Sequence, residues 1–287
     1  MHNSMSPDNA PIGIFDSGVG GLSVLREIRV QIPSESVLYF ADQKHVPYGP
    51  RGLEEVRAFS EEITRFLLGL GAKFIVVACN TASAAALRHL RQAFPKTSFV
   101  GMEPAIKPAA ESTHTGVVGI LATPATFQGA LYASVVERFG NGVTILQATC
   151  PGLVGQIEKG ELDSPGTREI LEKALGPMLE QGIDTVVMGC THYPFVIPLV
   201  NQIVGSDVRV IDPAPAVARQ TVRLLATEGL RSAGSTPGVL RFFTSGEAAL
   251  FGLQLPVLLG ETGEVQQIVW LRNKIRYLDA SNSPSVP

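Results

Sequence analysis

The stretch FIVVACNTASAAALRHL, residues 74–90, joins an apolar run to an alanine-rich segment and places a cysteine between them. The apolar run predicts a buried strand and the alanine-rich segment predicts a helix. Cys79 therefore lies where strand turns into helix, with Thr81 or Ser83 expected to cap the helix. Because a helix N-terminus favours negative charge, we expect this one to favour a thiolate at Cys79.

A second stretch, DTVVMGCTHYPFV at residues 184–196, repeats the arrangement with Cys190 after an apolar strand. The strand that opens each half also has a counterpart: GIFDSGVGG begins at Gly13 and GILATPATF begins at Gly119. This order predicts two related halves. Ligands bind at the carboxyl ends of strands in open α/β sheets, so facing halves would bring both cysteines to one cleft.

Short apolar strands alternate with amphipathic helical segments along most of the chain. This alternation predicts an α/β fold with parallel sheets. Further predicted strands follow the same pattern: SVLYFAD, TGVVGILAT, GVTILQAT and DVRVIDP. The polar ends, residues 1–10 and 280–287, are expected to be flexible.

Composition narrows the class of protein. Of 287 residues, 45% are hydrophobic and 17% charged, which supports a substantial core. The net charge of −3 comes with no basic stripe, so neither nucleic acid nor an anionic membrane is an expected partner. We find no signal peptide and no apolar run of the roughly 18 residues that a membrane span needs. Three cysteines do not form a disulfide framework, so we expect a reduced, cytoplasmic protein.

Two turns carry candidate substrate contacts. DSGVGG, residues 16–21, is neither GxGxxG nor a P-loop, so phosphate binding is not favoured. Asp16 and Ser17 suit an amino or hydroxyl group of a small substrate, although a plain strand-to-helix turn would use the same residues. HVPYG, residues 45–49, would let the backbone of Tyr48 and Gly49 approach a ligand, or is an ordinary loop.

Three further residues remain ambiguous from sequence alone. His192 follows Cys190 by two positions, and a histidine there either activates the thiol or is structural. Glu158 falls on a predicted amphipathic helix, and its spacing alone favours a solvated carboxylate. Cys150 has no polar motif around it and is interpreted as a packing residue. No CxxC or HxxxH pattern occurs, so we expect no metal site.

Two thiols across a cleft have three main uses: disulfide exchange, metal capture and proton transfer. Redox pairs usually occur as CxxC, and metal capture needs more ligands than are present. Proton transfer on both faces of one carbon remains, which is the chemistry of a racemase. Each cysteine then needs a partner to set its protonation state, and Asp16, Glu158 and His192 are the candidates.

Several motifs in a fixed order resemble the glutamate racemase family, whose members make D-glutamate for peptidoglycan without a cofactor. The resemblance runs from about Ile12 to Gly260 and rests on these motifs: DSGVGGLSV, FADQKHVPYGPR, VVACNTASA, GMEPAIKPA, ATPATF, LVGQIEKGE, MGCTHYPF and VIDPAPAVA.

The resemblance implies two α/β domains related by a pseudo-twofold axis, with the active site between them. The first would comprise residues 11–98 and 211–265 and the second residues 99–210, while residues 261–287 match nothing in the family pattern. A homodimer is also compatible with the resemblance.

The resemblance further implies a role for each site residue. Cys79 and Cys190 would be the two acid/bases, with Asp16 assisting Cys79 and His192 assisting Cys190, and Glu158 would be a carboxylate near the second cysteine. The substrate, glutamate, would be contacted by these residues: Asp16, Ser17, Tyr48, Gly49, Asn80, Thr81, Thr191 and His192.

Three alternatives remain at this point. An aspartate racemase of the same superfamily would carry similar motifs. A non-enzymatic protein that binds a partner such as DNA gyrase is a second alternative, and a thiol–disulfide protein is a third. Neither of these last two is favoured by the composition or by the cysteine spacing.

Overall fold

A computed structural model describes residues 10–277 of the chain. Of the predicted flexible ends, residues 1–9 and 280–287 lie outside this range. The strands are β1 (Ile12–Asp16), β2 (Val37–Ala41), β3 (Phe74–Val77), β4 (Ser98–Gly101), β5 (Val117–Ala122), β6 (Thr144–Ala148), β7 (Thr185–Gly189), β8 (Arg209–Ile211), β9 (Leu240–Thr244), β10 (Val265–Leu271) and β11 (Lys274–Tyr277).

The strands form two sheets. The larger has the order β11-β10-β9-β2-β1-β3-β4 and the smaller has the order β6-β5-β7-β8. All neighbouring strands are parallel except β10 and β11, which form an antiparallel hairpin at one edge. The predicted α/β class with parallel sheets is confirmed.

The two sheets share one strand order, which gives the sequence repeat a structural basis. The segment β2-β1-β3-β4 of the larger sheet corresponds to β6-β5-β7-β8 of the smaller one. In each half the opening strand is central and the strand before the cysteine lies beside it. Cys79 and Cys190 therefore occupy equivalent positions.

The predicted division into two domains stays a prediction. Its boundaries at residues 98/99 and 210/211 each fall inside a strand, β4 in the larger sheet and β8 in the smaller one. The hairpin β10–β11, whose sequence matched no family motif, extends the larger sheet.

Helices cover both faces of the sheets. They are α1 (Leu22–Gln31), α2 (Leu53–Gly69), α3 (Asn80–Ala93), α4 (Ile106–Ser112), α5 (Pro124–Gln128), α6 (Ala130–Phe139), α7 (Leu153–Glu158), α8 (Pro165–Glu180), α9 (Ile197–Val204), α10 (Ala214–Thr227) and α11 (Ala248–Leu258), with a 3₁₀ turn at Tyr193–Val196. Within residues 10–277, no helix combines the length and apolar character needed to cross a membrane.

One apolar core runs from the larger sheet into the second half. It contains Ile14 of β1 and Leu25 of α1 together with Leu153 of α7 and Leu199 of α9, all nearly inaccessible to solvent. Burial of such side chains contributes about 1.5–3 kcal/mol each. This shared core holds the two halves against each other and sets the carboxyl ends of their strands around one cleft.

Candidate active site

The carboxyl ends of four strands meet at a small cavity between the two halves. Its volume is about 10 Å³. The lining residues are Ser17, Pro47, Tyr48, Gly49, Cys79, Asn80, Thr81, Thr123, Val154, Cys190, Thr191 and His192. Both cysteines thus border one space, as the repeat predicted.

Cys79 caps helix α3 with its own sulfur. Its Sγ accepts a hydrogen bond from the backbone N–H of Ala82 at 3.5 Å. The expectation that Thr81 or Ser83 would cap this helix is wrong, because both lie within its first turn. The Ser83 hydroxyl instead donates to the carbonyl of Val77, and Thr81 Oγ1 lies 2.9 Å from Thr123 Oγ1 across the cleft.

The surroundings of Cys79 favour a thiol rather than the expected thiolate. Burial raises the pKa of Cys79 well above its ordinary value, and the charge of Asp16 raises it further. The hydrogen bond from Ala82 lowers the pKa but does not outweigh these two effects. Burial also raises the pKa of Asp16, against the lowering effects of the His192 charge and of a hydrogen bond from Cys79.

A histidine lies beside Cys190, where Cys79 has a carboxyl group. Nδ1 of His192 lies 3.9 Å from Cys190 Sγ, and Nε2 of the same ring lies 2.6 Å from Oε1 of Glu158. Burial lowers the pKa of His192, but hydrogen bonds to Cys190 and Glu158, with their charges, raise it well above its ordinary value. A charged imidazolium donates from both ring nitrogens and favours negative charge on the neighbouring sulfur.

Glu158 stays ionised beside this histidine. Burial raises its pKa, but the hydrogen bond and charge of His192, together with donors from Gln43 and Val19, bring the pKa below its ordinary value. The site thus places the carboxyl group of Asp16 behind one sulfur and the imidazolium of His192 behind the other, an arrangement suited to one acid and one base.

The glycines of DSGVGG leave room for side chains of the second half to approach this turn closely. A Cβ on Gly18 would overlap Oε1 of Glu158, and a Cβ on Gly20 would overlap Nδ1 of His192. The backbone N–H of Val19 donates to Glu158 at 2.8 Å, and that of Gly21 donates to Asp16 at 2.8 Å. The turn therefore binds carboxylates of the protein itself.

Asn80 carries unpaired polar atoms at the cavity. Its side chain is buried, and neither Oδ1 nor Nδ2 has a hydrogen-bond partner among the residues that the structure describes. Unpaired buried amide groups are costly in a folded protein. They lie at the cavity wall, where a polar ligand could pair with them.

A fully buried carboxylate, Asp42, holds the loop that contains Tyr48. The Tyr48 hydroxyl donates to Asp42 Oδ2 at 2.6 Å, and Trp270 Nε1 donates to Asp42 Oδ1 at 2.8 Å. The hydroxyl of Ser245 also donates to Oδ1, and His45 Nδ1 lies 2.9 Å from Oδ2. The hairpin β10–β11 therefore supports one wall of the cavity through Trp270.

Every predicted site residue lies at or directly behind this cavity. Asp16 and Glu158 stand behind Cys79 and His192 respectively, and the others line the wall. Sequence reasoning missed Pro47, Thr123 and Val154. For Thr123 a signal existed, since it follows β5 as Ser17 follows β1. Cys150 is buried in the apolar core, in line with its interpretation as a packing residue.

A metal ion needs several ligating side chains close together. Among residues 10–277, no group of three His, Cys, Asp or Glu side chains is close enough to hold an ion.

Comparisons with known proteins agree on one family. The sequence model of the Asp/Glu/hydantoin racemase family matches residues 12–221. A glutamate racemase of Pseudomonas paraeruginosa is 49% identical over 264 residues, which cover 92% of this chain and 99% of that protein.

Solved structures give the same result. A glutamate racemase isoform from Bacillus anthracis superposes with a TM-score of 0.81 at 34% identity, covering 91% of this chain and 97% of that one. Escherichia coli glutamate racemase, solved in complex with L-glutamate and the activator UDP-MurNAc-ala, gives a TM-score of 0.78 at 32% identity, covering 90% and 97%.

Proposed function

The chain belongs to the Asp/Glu/hydantoin racemase family, and we propose on that premise that it interconverts L- and D-glutamate through Cys79 and Cys190. The observation that carries this proposal is the pair of equivalent cysteines on one small cavity, one beside Asp16 and the other beside His192.

The different groups behind the two sulfurs, Asp16 and His192, prepare one acid and one base. Cys190, beside the protonated His192, is assigned as the base, and Cys79, whose pKa is raised by burial and by Asp16, is assigned as the acid. The thiolate takes the Cα proton of one enantiomer, and the electron pair of the C–H bond stays on the substrate. The thiol then gives its proton to the opposite face of Cα. The reverse direction uses the same two groups with their roles exchanged.

Asp16 and His192 let each cysteine change role. Asp16 accepts the Cys79 proton when that sulfur must act as the base. His192 donates to the sulfur of Cys190 or stabilises its charge, and Glu158 keeps the imidazole ring charged and correctly oriented.

The substrate is held by polar groups on both halves. We place its polar ends against the Asn80 amide, the hydroxyls of Ser17, Thr81 and Thr191, and the backbone of Tyr48–Gly49. Backbone and hydroxyl donors at strand ends also stabilise the charge that develops on the carboxylate as the Cα proton leaves. Thr123, on the opposite half from Thr81, adds a hydroxyl to the same wall.

The reaction uses protein groups alone and needs neither pyridoxal phosphate nor metal. Its product, D-glutamate, supplies peptidoglycan synthesis. We also propose that the enzyme acts in the cytoplasm, where its three free cysteines remain reduced, and that it forms a homodimer, which sedimentation velocity tests.

A circular-dichroism assay tests the activity. Purified protein is incubated with L- or D-glutamate in buffer with a chelator and no added cofactor. The expected result is decay of the signal to zero from either enantiomer. Decay with aspartate and none with glutamate would instead identify an aspartate racemase, and no decay with either acid would refute the proposal.

A further inference from the structure

We propose that Gln43 and Gln254 are positioning residues, which reach across the cleft and hold Glu158 in place against His192. This inference rests on the proposed function, since it concerns the charged pair beside Cys190. Neither glutamine lines the cavity itself. They act through Glu158, since one binds its carboxylate and the other its backbone carbonyl.

Gln43 contacts the carboxylate directly. Its Nε2 donates to Oε2 of Glu158 at 3.0 Å, while Oε1 of Glu158 is already shared by His192 and the N–H of Val19. Gln43 thus fixes the second oxygen and with it the rotation of the carboxylate plane. A 1 Å displacement in such an arrangement costs about 10²-fold in rate.

The orientation of the Gln43 amide is itself fixed. The hydroxyl of Thr244, at the end of β9, donates to Oε1 of Gln43 at 2.8 Å. Thr244 is completely buried and also accepts from the N–H of Gly246 at 3.0 Å. Because the amide oxygen is occupied by this donor, the amide nitrogen must face Glu158.

Gln254 of α11 completes the arrangement. Its Nε2 donates to the backbone carbonyl of Glu158 at 2.5 Å, and its Oε1 accepts from Gln43 Nε2 at 3.3 Å. The carbonyl of Glu158 lies at the end of α7, where helix carbonyls lack intrahelical partners. One glutamine therefore binds the side chain of Glu158 and the other binds its backbone.

Both glutamines belong to the half that contains the larger sheet, whereas Glu158 follows the smaller-sheet strand β6. These contacts therefore cross the cleft. The cavity is too small for an amino acid to enter unless the two halves separate. That separation breaks the glutamine contacts. Re-forming the glutamine contacts on closure fixes the Glu158 carboxylate in its orientation toward His192, which couples cleft closure to the charge beside Cys190.

The test compares Gln43→Met and Gln254→Met with Gln31→Met. Methionine keeps the length of the side chain and removes the amide. Gln31 is a half-buried glutamine on α1 whose amide nitrogen donates to the carbonyl of Pro215, away from the cavity. We expect a 10- to 100-fold loss of kcat/KM in the first two variants and less than a twofold change in the third.

A double-mutant cycle distinguishes action through Glu158 from a general structural effect. In a Glu158→Gln background, Gln43→Met should cost less than twofold further. A deuterium isotope effect at Cα should also rise more for the enantiomer whose proton Cys190 removes. If Gln43→Met lowers kcat/KM as much in the Glu158→Gln background as in the unaltered protein, the proposal is overturned.

A readout independent of activity follows cleft closure. In a Cys150→Ala background, the rate at which a thiol reagent modifies Cys79 and Cys190 should rise several-fold in Gln43→Met and stay unchanged in Gln31→Met. Equal rates in all variants would overturn the proposal. If the parent protein does not racemise glutamate, the proposed function fails, and these thiol rates still decide whether the glutamines hold the cleft closed.

Discussion

Nε2 of His192 lies 2.6 Å from Oε1 of Glu158, and the two side chains are only 2% and 11% exposed. The pair joins the loop after β7 to the end of α7, both in the half with the smaller sheet, while Val19 and Gln43 bind the same carboxylate from the other half. Removing one partner of a buried pair typically costs about 3–5 kcal/mol. The pair therefore contributes both to the fold and to the charge beside Cys190.

His192→Gln should destabilise the chain most between about pH 4.5 and 6.5, by about 3 kcal/mol. The pKa of His192 is raised by folding, so its contribution is complete below its ordinary value of 6.5 and is lost as the pH rises through the raised value. The pKa of Glu158 is lowered, so its contribution is complete above 4.5 and is lost as the pH falls through the lowered value.

Urea unfolding of both proteins across this range measures the difference. His89→Gln is the matched control, since His89 pairs with Glu61 at the surface. A destabilisation by His192→Gln that does not change with pH would show that the charged pair is not its source.

Gly18→Ala should lower kcat/KM by about 10²-fold or more, because the new methyl group displaces the carboxylate of Glu158 from His192. The control is Gly69→Ala, at the end of α2, where a Cβ meets nothing within 4 Å. Steady-state kinetics on both enantiomers provide the measurement. Full activity in Gly18→Ala would mean that this close approach is not needed for turnover.

Asn80→Ala should raise KM for glutamate about tenfold or more while leaving the free energy of unfolding unchanged or slightly increased. The substrate loses a polar partner, whereas the fold loses two buried atoms that are unpaired among the described residues. Kinetics and thermal unfolding are compared on the same preparation. A large loss of stability with an unchanged KM would assign Asn80 to the fold rather than to substrate binding.

Trp270→Phe should raise KM several-fold with a smaller effect on kcat. The phenyl ring keeps the contacts with His45 and Phe59, but Asp42 loses one of its buried donors, at a cost of about 1–3 kcal/mol. The same carboxylate orients Tyr48, so the cavity wall loosens. An unchanged KM would show that the hairpin β10–β11 does not support the active site.

The repeat in the sequence predicted most of the fold, because parallel strands place their carboxyl ends at one edge of each sheet. Asp16, Cys79 and Cys190 each lie at or just after such an end, so their meeting follows from local pattern and chain direction. Thr123 occupies the equivalent end of β5, so the same reasoning could have predicted its place at the cavity.

Other features depend on tertiary contacts that leave no local pattern. The cap on α3 is a sulfur, whereas the known preference for oxygen caps pointed to Thr81 or Ser83. Glu158 ends a helix of six residues, and it is buried by tertiary contacts that include the DSGVGG turn. The pKa direction of Cys79 likewise depends on burial between two halves that are distant in sequence.

The most direct test of the account follows the Cα proton in Cys79→Ser and Cys190→Ser. Each variant is incubated with each enantiomer of glutamate in D₂O, and racemisation and deuterium incorporation are recorded together. The account predicts that both variants lose at least about 10²-fold in racemisation, as expected on loss of a general acid or base. Racemisation by either variant at the rate of the unaltered protein would contradict it.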